Sequence, residues 1–205
     1  MQAAERGRLL VAQVLTFSRR SPEQRQLVEL AALISEVVQL LRGSYTQQIV
    51  LDLETRDCVV AGDATALHQL IMNLCTNGLQ AIAANNIANP SYVGTLSILL
   101  ADHYITADAP LINIETSRPL APNHYAVLRV ADDGVGMSPE TRAHMFDPFF
   151  TTKAAGSGTG LGLSLALSIA HAHGGAITCE TSLSSGTKFS VYLPISSYGY
   201  CQYSI

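Results

Sequence analysis

Residues 156–163, Gly-Ser-Gly-Thr-Gly-Leu-Gly-Leu, put glycine at every second position directly ahead of a helical pattern. Such a run can adopt positive φ and bring successive backbone N–H groups against one anion. Leu161, Leu163, Leu165, Leu167, Ile169 and Ala170 continue it as a buried helix, ended by Gly174 and Gly175. The N-terminal N–H groups of that helix would favour an anion by roughly 0.3–1 kcal/mol at an exposed site. The spacing fits neither the Walker loop, which needs Gly-Lys-Ser/Thr, nor the dinucleotide fingerprint. By itself it specifies phosphate, without saying which.

Three further stretches could do chemistry. On a helix expected over residues 64–85 and capped by Asp63, Gln69, Asn73, Asn77 and Gln80 fall at i, i+4, i+8 and i+11, one polar stripe. Surface helices favour Lys and Glu, and Asn is a poor mid-helix residue, so amides in register point to a cation or its waters more than to a solvated face. Asp132-Asp133-Gly134-Val135-Gly136 follows a strand-like Tyr125–Val130, a carboxylate at a strand end beside two glycines. A plain Asp/Gly turn is the bland alternative. Phe146-Asp147-Pro148-Phe149-Phe150-Thr151-Thr152-Lys153 then sets three phenylalanines and a lysine before the glycine run, as an apolar anchor for a flap between Phe149 and Gly158.

The elements that must position these stretches alternate in type. Residues 2–19 read as an amphipathic helix with Leu10, Val14 and Phe17 on one stripe, broken at Ser21-Pro22. A strand over 26–30, a helix over 31–42 and strands over 49–53 and 58–61 follow, then the amide helix and a strand over 95–103. Residues 104–123 hold Pro110, Pro119 and Pro122 and read as an unusually long connection. Strands over 176–181 and 188–193 close a hairpin, and 195–205 read as a tail or linker.

With 205 residues, 48% apolar and 14% charged, the chain can bury a full core. A net charge of −4 with dispersed basic residues argues against a nucleic-acid partner. Cys58, Cys75, Cys179 and Cys201 are far apart, which suits a reduced, cytoplasmic setting. No apolar run is long enough to span a bilayer, so no membrane contact by these residues is expected.

Taken in order, the four motifs resemble the catalytic ATP-binding domain of two-component sensor histidine protein kinases. His68 to Gly78 looks like that family's asparagine motif, Asp132 to Gly136 its first glycine motif, Phe146 to Lys153 its phenylalanine motif, and Gly158-Thr159-Gly160-Leu161-Gly162-Leu163 its second glycine motif. The match covers roughly residues 25–194. It implies an α/β fold, a two-layer sandwich of a mixed sheet and three main helices, shared with gyrase-type ATPases and here preceded by one amphipathic helix. It implies that Asp132 accepts the adenine amino group beside Gly134 and Gly136, and that Thr187 supports that pocket through water. It further implies that Asn77 coordinates Mg²⁺, that Asn73 positions a magnesium water or polarises the reacting phosphate, and that Lys153 and the backbone of Gly158, Thr159, Gly160, Leu161 and Gly162 take the triphosphate of ATP.

Two departures stand out. Residue 78 is glycine where the family has alanine, an expected weakening of the helix by about 0.5–1 kcal/mol. None of the six histidines has the context of the phosphorylated histidine, which lies on the first helix of a dimerising hairpin. Residues 1–22 resemble the second helix of that hairpin, with the catalytic domain over 23–194. The phosphoacceptor hairpin is then expected in cis upstream or in trans, in a homodimer of the full-length protein, with a response-regulator receiver domain as the next partner. A docking module without turnover and an ATPase relative using water are the competing readings.

Overall fold

The computed structural model describes residues 26–55, 57–88, 91–108, 111, 119–153 and 158–196. The expected first amphipathic helix and the tail beyond 196 lie outside them. Chain order runs β1 (Gln26–Glu29), α1 (Leu30–Ser44), β2 (Gln48–Leu53), β3 (Val59–Gly62), α2 (Ala64–Ala88), β4 (Thr95–Ile105), β5 (Asn123–Asp132), α3 (Pro139–His144), α4 (Gly162–Ala172), β6 (Ala176–Thr181) and β7 (Thr187–Pro194).

Five strands form the main sheet in the order β2-β4-β5-β7-β6. β2 runs parallel to β4 and every other pairing is antiparallel, so the sheet is mixed, as expected. A separate two-stranded sheet pairs β1 with β3 and touches the main body through a bridge between Val60 and Ile195.

Three long helices cover one face, and α3 adds a short fourth among the described residues. α1 buries Leu30, Ala31, Ile34, Val37, Val38 and Leu41, the i, i+3, i+4 stripe that a helix on a sheet must bury. Arg42 fastens its end by donating from Nη2 to the Ile49 carbonyl at 2.9 Å. α2 starts where Asp63 Oδ1 accepts from the N–H groups of Thr65 (2.9 Å) and Ala66 (3.2 Å), filling orphan donors of the first turn. It buries Leu67, Leu70, Ile71, Leu74, Leu79 and Ile82 almost completely, each contributing about 1.5–3 kcal/mol.

The helices meet the sheet on the face of Ala126, Leu128 and Val130 in β5 and of Phe189, Val191 and Leu193 in β7. By the two-residue period of a strand, Asp132 and Thr187 end these strands on that same face. On the opposite face Tyr125 and Val127 are also buried, and Tyr125 donates its hydroxyl to the Ala121 carbonyl at 2.9 Å, tying down the end of the long connection. No helix among the described residues is long and apolar enough to cross a membrane.

Candidate functional site

α2 and α4 lie against each other, and their contact defines the site. α4 begins at Gly162, and its N-cap, Leu161, offers no side-chain cap to the first N–H groups. A Cβ on Gly162 would lie 3.6 Å from Asn77 Nδ2 and 3.9 Å from Asn73 Oδ1, so the start of α4 faces both asparagines with nothing between. Uncapped helix N–H groups beside carboxamides make a surface suited to an anion and its counter-cation. Just before it, Gly160 has φ of 66° and accepts from the Phe149 N–H at 2.9 Å. Thr159 Oγ1 accepts from the Leu161 N–H at 3.4 Å. Gly158 lies beside Thr151 and the Lys153 stem. The alternating-glycine turn is thus laced to the phenylalanine stretch.

Hydrogen bonds engage Gln69, Asn73 and Gln80 on the amide stripe of α2. Gln69 donates from Nε2 to Asn73 Oδ1 at 3.0 Å, and Asn73 Nδ2 is buried with no hydrogen-bond partner. Three residues past Asn77, the Gln80 side-chain oxygen accepts from Lys153 Nζ. Lys153 is exposed as a residue, yet partial burial of its ammonium lowers its pKa from the ordinary lysine value. Asn73 and Asn77 thus face the glycine turn, and the exposed Gln80 meets the lysine.

The other wall is built by β5, β6 and β7. Asp132 pairs with Thr187 across the β5–β7 ladder, and its Oδ1 accepts from the Gly134 N–H at 3.0 Å. Burial pushes its carboxyl up from 3.8 to about 6, with the Asp133 charge adding to the rise and the Gly134 and Thr187 N–H groups opposing it. Gly134 packs on the α2 backbone, where a Cβ would sit 2.5 Å from the Ala81 carbonyl carbon. Gly136, at φ 65°, lies over the Ser182 carbonyl of the β6–β7 hairpin.

Thr181 carries a role that sequence reasoning missed. Its hydroxyl donates to the Gly186 carbonyl at 3.0 Å, accepts from the Met137 N–H at 3.0 Å, and lies 3.0 Å from Thr187 Oγ1. With its one proton committed to Gly186, Thr181 must accept from Thr187, which leaves Thr187 only acceptor capacity beside Asp132. The available signal was register, since Thr181 and Thr187 are paired across the hairpin.

Two expectations need correction. Gly78 is more than a weak helix residue: a Cβ there would lie 2.7 Å from the Leu96 side chain and 3.4 Å from Asp132 Oδ2, so its absence lets α2 close on the Asp132 wall. Of the three phenylalanines, only Phe146 anchors in the core, edge-on to Phe189 at 6.5 Å between centroids. Phe149 is 65% exposed with φ of 69°, and Phe150 sits against the His144 ring. The expected flap includes residues 154–157, which lie outside the described residues.

Chemically, the described residues of the site offer an acceptor-only carboxylate, uncapped backbone donors, two carboxamides and the Lys153 ammonium. Among the described residues no cluster of three His, Cys, Asp or Glu could cage a metal unaided. A hard cation here would need most of its oxygen ligands from phosphate and water, as Mg²⁺ commonly has.

The chain and its fold have counterparts in known proteins. Sensor kinase CckA of Brucella abortus (strain 2308) is 32% identical over 195 residues, which is 94% of this chain and 19% of that protein. The signal transduction histidine-protein kinase AtoS of Escherichia coli (strain K12) is 30% identical over 193 residues, 93% of this chain and 27% of that protein. The chain therefore spans well under a third of the length of these two relatives. The solved catalytic domain of histidine kinase ThkA superimposes with a TM-score of 0.64 at 25% identity, covering 86% of this chain and 99% of that one. Residues 62–197, two-thirds of the chain, match the family described as Histidine kinase-, DNA gyrase B-, and HSP90-like ATPase. This chain belongs to that family.

Proposed function

We propose that the chain is the ATP-binding half of a two-component sensor kinase: it binds Mg-ATP between α2 and the Gly158–Gly162 turn and passes the γ-phosphoryl group to a histidine. That histidine would come from a hairpin upstream in cis or on another chain, within a homodimer of the longer protein whose second hairpin helix includes residues 1–22. An aspartate of a response-regulator receiver domain would take the group next.

One observation carries the reading. Two consecutive α2 residues reach the two ends of the site: Asn77 stands against Gly162, and Gly78 stands against Asp132. One helical turn is thus flanked by the carboxylate and the phosphate-type turn, which suits a ligand with a base at one end and phosphates at the other. Asp132, ionised and unable to donate, accepts from the adenine amino group and rejects the guanine carbonyl. Thr187 accepts a hydrogen bond from a water beside it, with Gly134 and Gly136 shaping that end. The backbone N–H groups of Gly158, Thr159, Gly160, Leu161 and Gly162 and the Lys153 ammonium neutralise phosphate oxygens.

The residues fit Mg²⁺ through the Asn77 carbonyl, and the ion when bound supplies charge neutralisation of the phosphates. Phosphoryl transfer needs positioning and charge more than covalent help, which these groups supply. At position 73 the side chain is an amide with no basic atom, so activation of water, as an ATPase needs, lacks a proton acceptor there. The test is to mix the chain with γ-labelled ATP and the upstream hairpin of the longer protein. Acid-labile phosphate on the hairpin is the expected result. Failure of the chain to bind ATP, or labelling unchanged when Asn77 is replaced by Ala, would overturn the proposal.

A further inference from the structure

Gln80 ends the amide stripe of α2, and its side-chain oxygen accepts from Lys153 Nζ. It lies three residues past Asn77, which at the helical rise is about 4.5 Å along the axis. Asn77 faces the start of α4 at Gly162, so the ammonium docks on the stretch of α2 that meets the glycine turn. The lysine stem is placed as well. A Cβ on Gly158 would lie 3.2 Å from Lys153 Cδ, so the bare backbone of the glycine turn leaves room for the stem. Lys153 thus reaches from the glycine turn to α2, onto a residue 73 positions away in the chain.

An ammonium has three N–H donors, and the Gln80 oxygen takes one of them. That acceptor is neutral, and α2 carries no carboxylate that could cancel the lysine charge. Partial burial lowers the Lys153 pKa, so the amide does not make good the water that the ammonium has lost. An anion arriving at the glycine turn would meet a charge already in position, with donors to spare. A lysine on a free four-carbon stem would instead lose its rotamer freedom at the moment of binding.

The geometry points to Gln80 as a positioning residue that stations the Lys153 ammonium on the stripe to meet a phosphate oxygen of the nucleotide, without itself touching that nucleotide. The neutrality of Gln80 is part of the device: a carboxylate there would hold the lysine and neutralise it. The assignment rests on the nucleotide reading of the site and adds to it the group that sets where the lysine charge stands.

Calorimetry on the whole chain, with the magnesium complex of a non-hydrolysable ATP analogue, is the test. Gln80→Met keeps the length and removes the acceptor; binding should weaken about three- to tenfold, the scale of ordering one long side chain on association. Adenosine, which has no phosphate, should bind this variant as it binds the parent. In a Lys153→Met background Gln80→Met should cost less than about twofold, since Gln80 acts only through the lysine. Exchanging the pair, Gln80→Lys with Lys153→Gln, keeps an ammonium and its amide partner in nearly the same place. It should restore most of the affinity that Lys153→Gln alone loses.

A loss that persists undiminished in the Lys153→Met background, or that is as large for adenosine, would reduce Gln80 to a support of α2 and overturn the inference. So would an affinity that Gln80→Met leaves unchanged or raises, or an exchanged chain no better than Lys153→Gln alone. If the parent chain binds no nucleotide, the proposed function falls together with this inference; if it binds and the coupling is missing, only the inference falls.

Discussion

Replacing Asp132 by Asn should move nucleotide affinity and stability in opposite directions. The folded carboxyl is raised from 3.8 to about 6, chiefly by burial. Between those two values the folded chain holds a proton that the unfolded chain has released. The cost of burying the charge is therefore complete above pH 6 and fades as pH falls toward 4. Two pKa units correspond to about 3 kcal/mol as an upper bound, and solvent reaching this half-buried side chain reduces it to about 1–2 kcal/mol. Asn keeps an oxygen for the Gly134 N–H without carrying charge. Asp132→Asn should then raise the melting temperature at pH 7.5 by about 2–8 °C, and the gain should disappear near pH 4. In the same variant ATP affinity should fall roughly tenfold or more, because a charge-assisted hydrogen bond to the base is lost, and discrimination against GTP should shrink because an amide can donate to guanine. Thermal scans across pH and parallel titrations with the two nucleotides read both effects. A melting difference that does not change between pH 4 and 7.5 would refute the burial argument, and unaltered ATP binding would remove Asp132 from the adenine pocket.

Other substitutions separate packing from chemistry. Asn77→Ala should leave the fold intact and abolish the magnesium-dependent part of nucleotide affinity, read by titrating ATP with and without EDTA. Gly162→Ala places a methyl at ordinary contact distance, 3.6 Å from Asn77 Nδ2, so the melting temperature should hold or rise while nucleotide affinity drops. Gly134→Ala drives a methyl to 2.5 Å from α2 backbone, which cannot yield as a side chain can; urea denaturation should show a loss of about 1–3 kcal/mol or more.

Much of this fold is legible in local pattern. The alternation of apolar residues in β5 and β7 and the stripes of α1 and α2 depend only on which face each residue takes, and face follows from spacing. The alternating glycines and the amide stripe are visible for the same reason. What spacing cannot carry is pairing between distant residues. Gly62 is glycine because the His173 ring, over a hundred positions on, lies 2.4 Å from where a Cβ would be. That ring donates from Nδ1 to the Ile169 carbonyl and accepts from the Asp63 N–H, joining the end of α4 to the start of α2. The value of Gly78, the relay from Thr181 to Thr187 and the exposed, positive-φ Phe149 are likewise set by tertiary neighbours.

Helix α2 contains no Asp, Glu, Lys or Arg across its 25 residues. A wall facing phosphates would ordinarily be cationic, and such a wall would hold any polyanion, spent nucleotide included. Here α2 carries no Asp, Glu, Lys or Arg, and among the described residues it is the Lys153 ammonium that reaches in from the phenylalanine segment. Attraction for the triphosphate must then depend largely on the divalent ion that accompanies it. Nucleotide affinity should vary only weakly with monovalent salt and steeply with free magnesium, so that the protein's occupancy follows the metal-loaded pool of nucleotide.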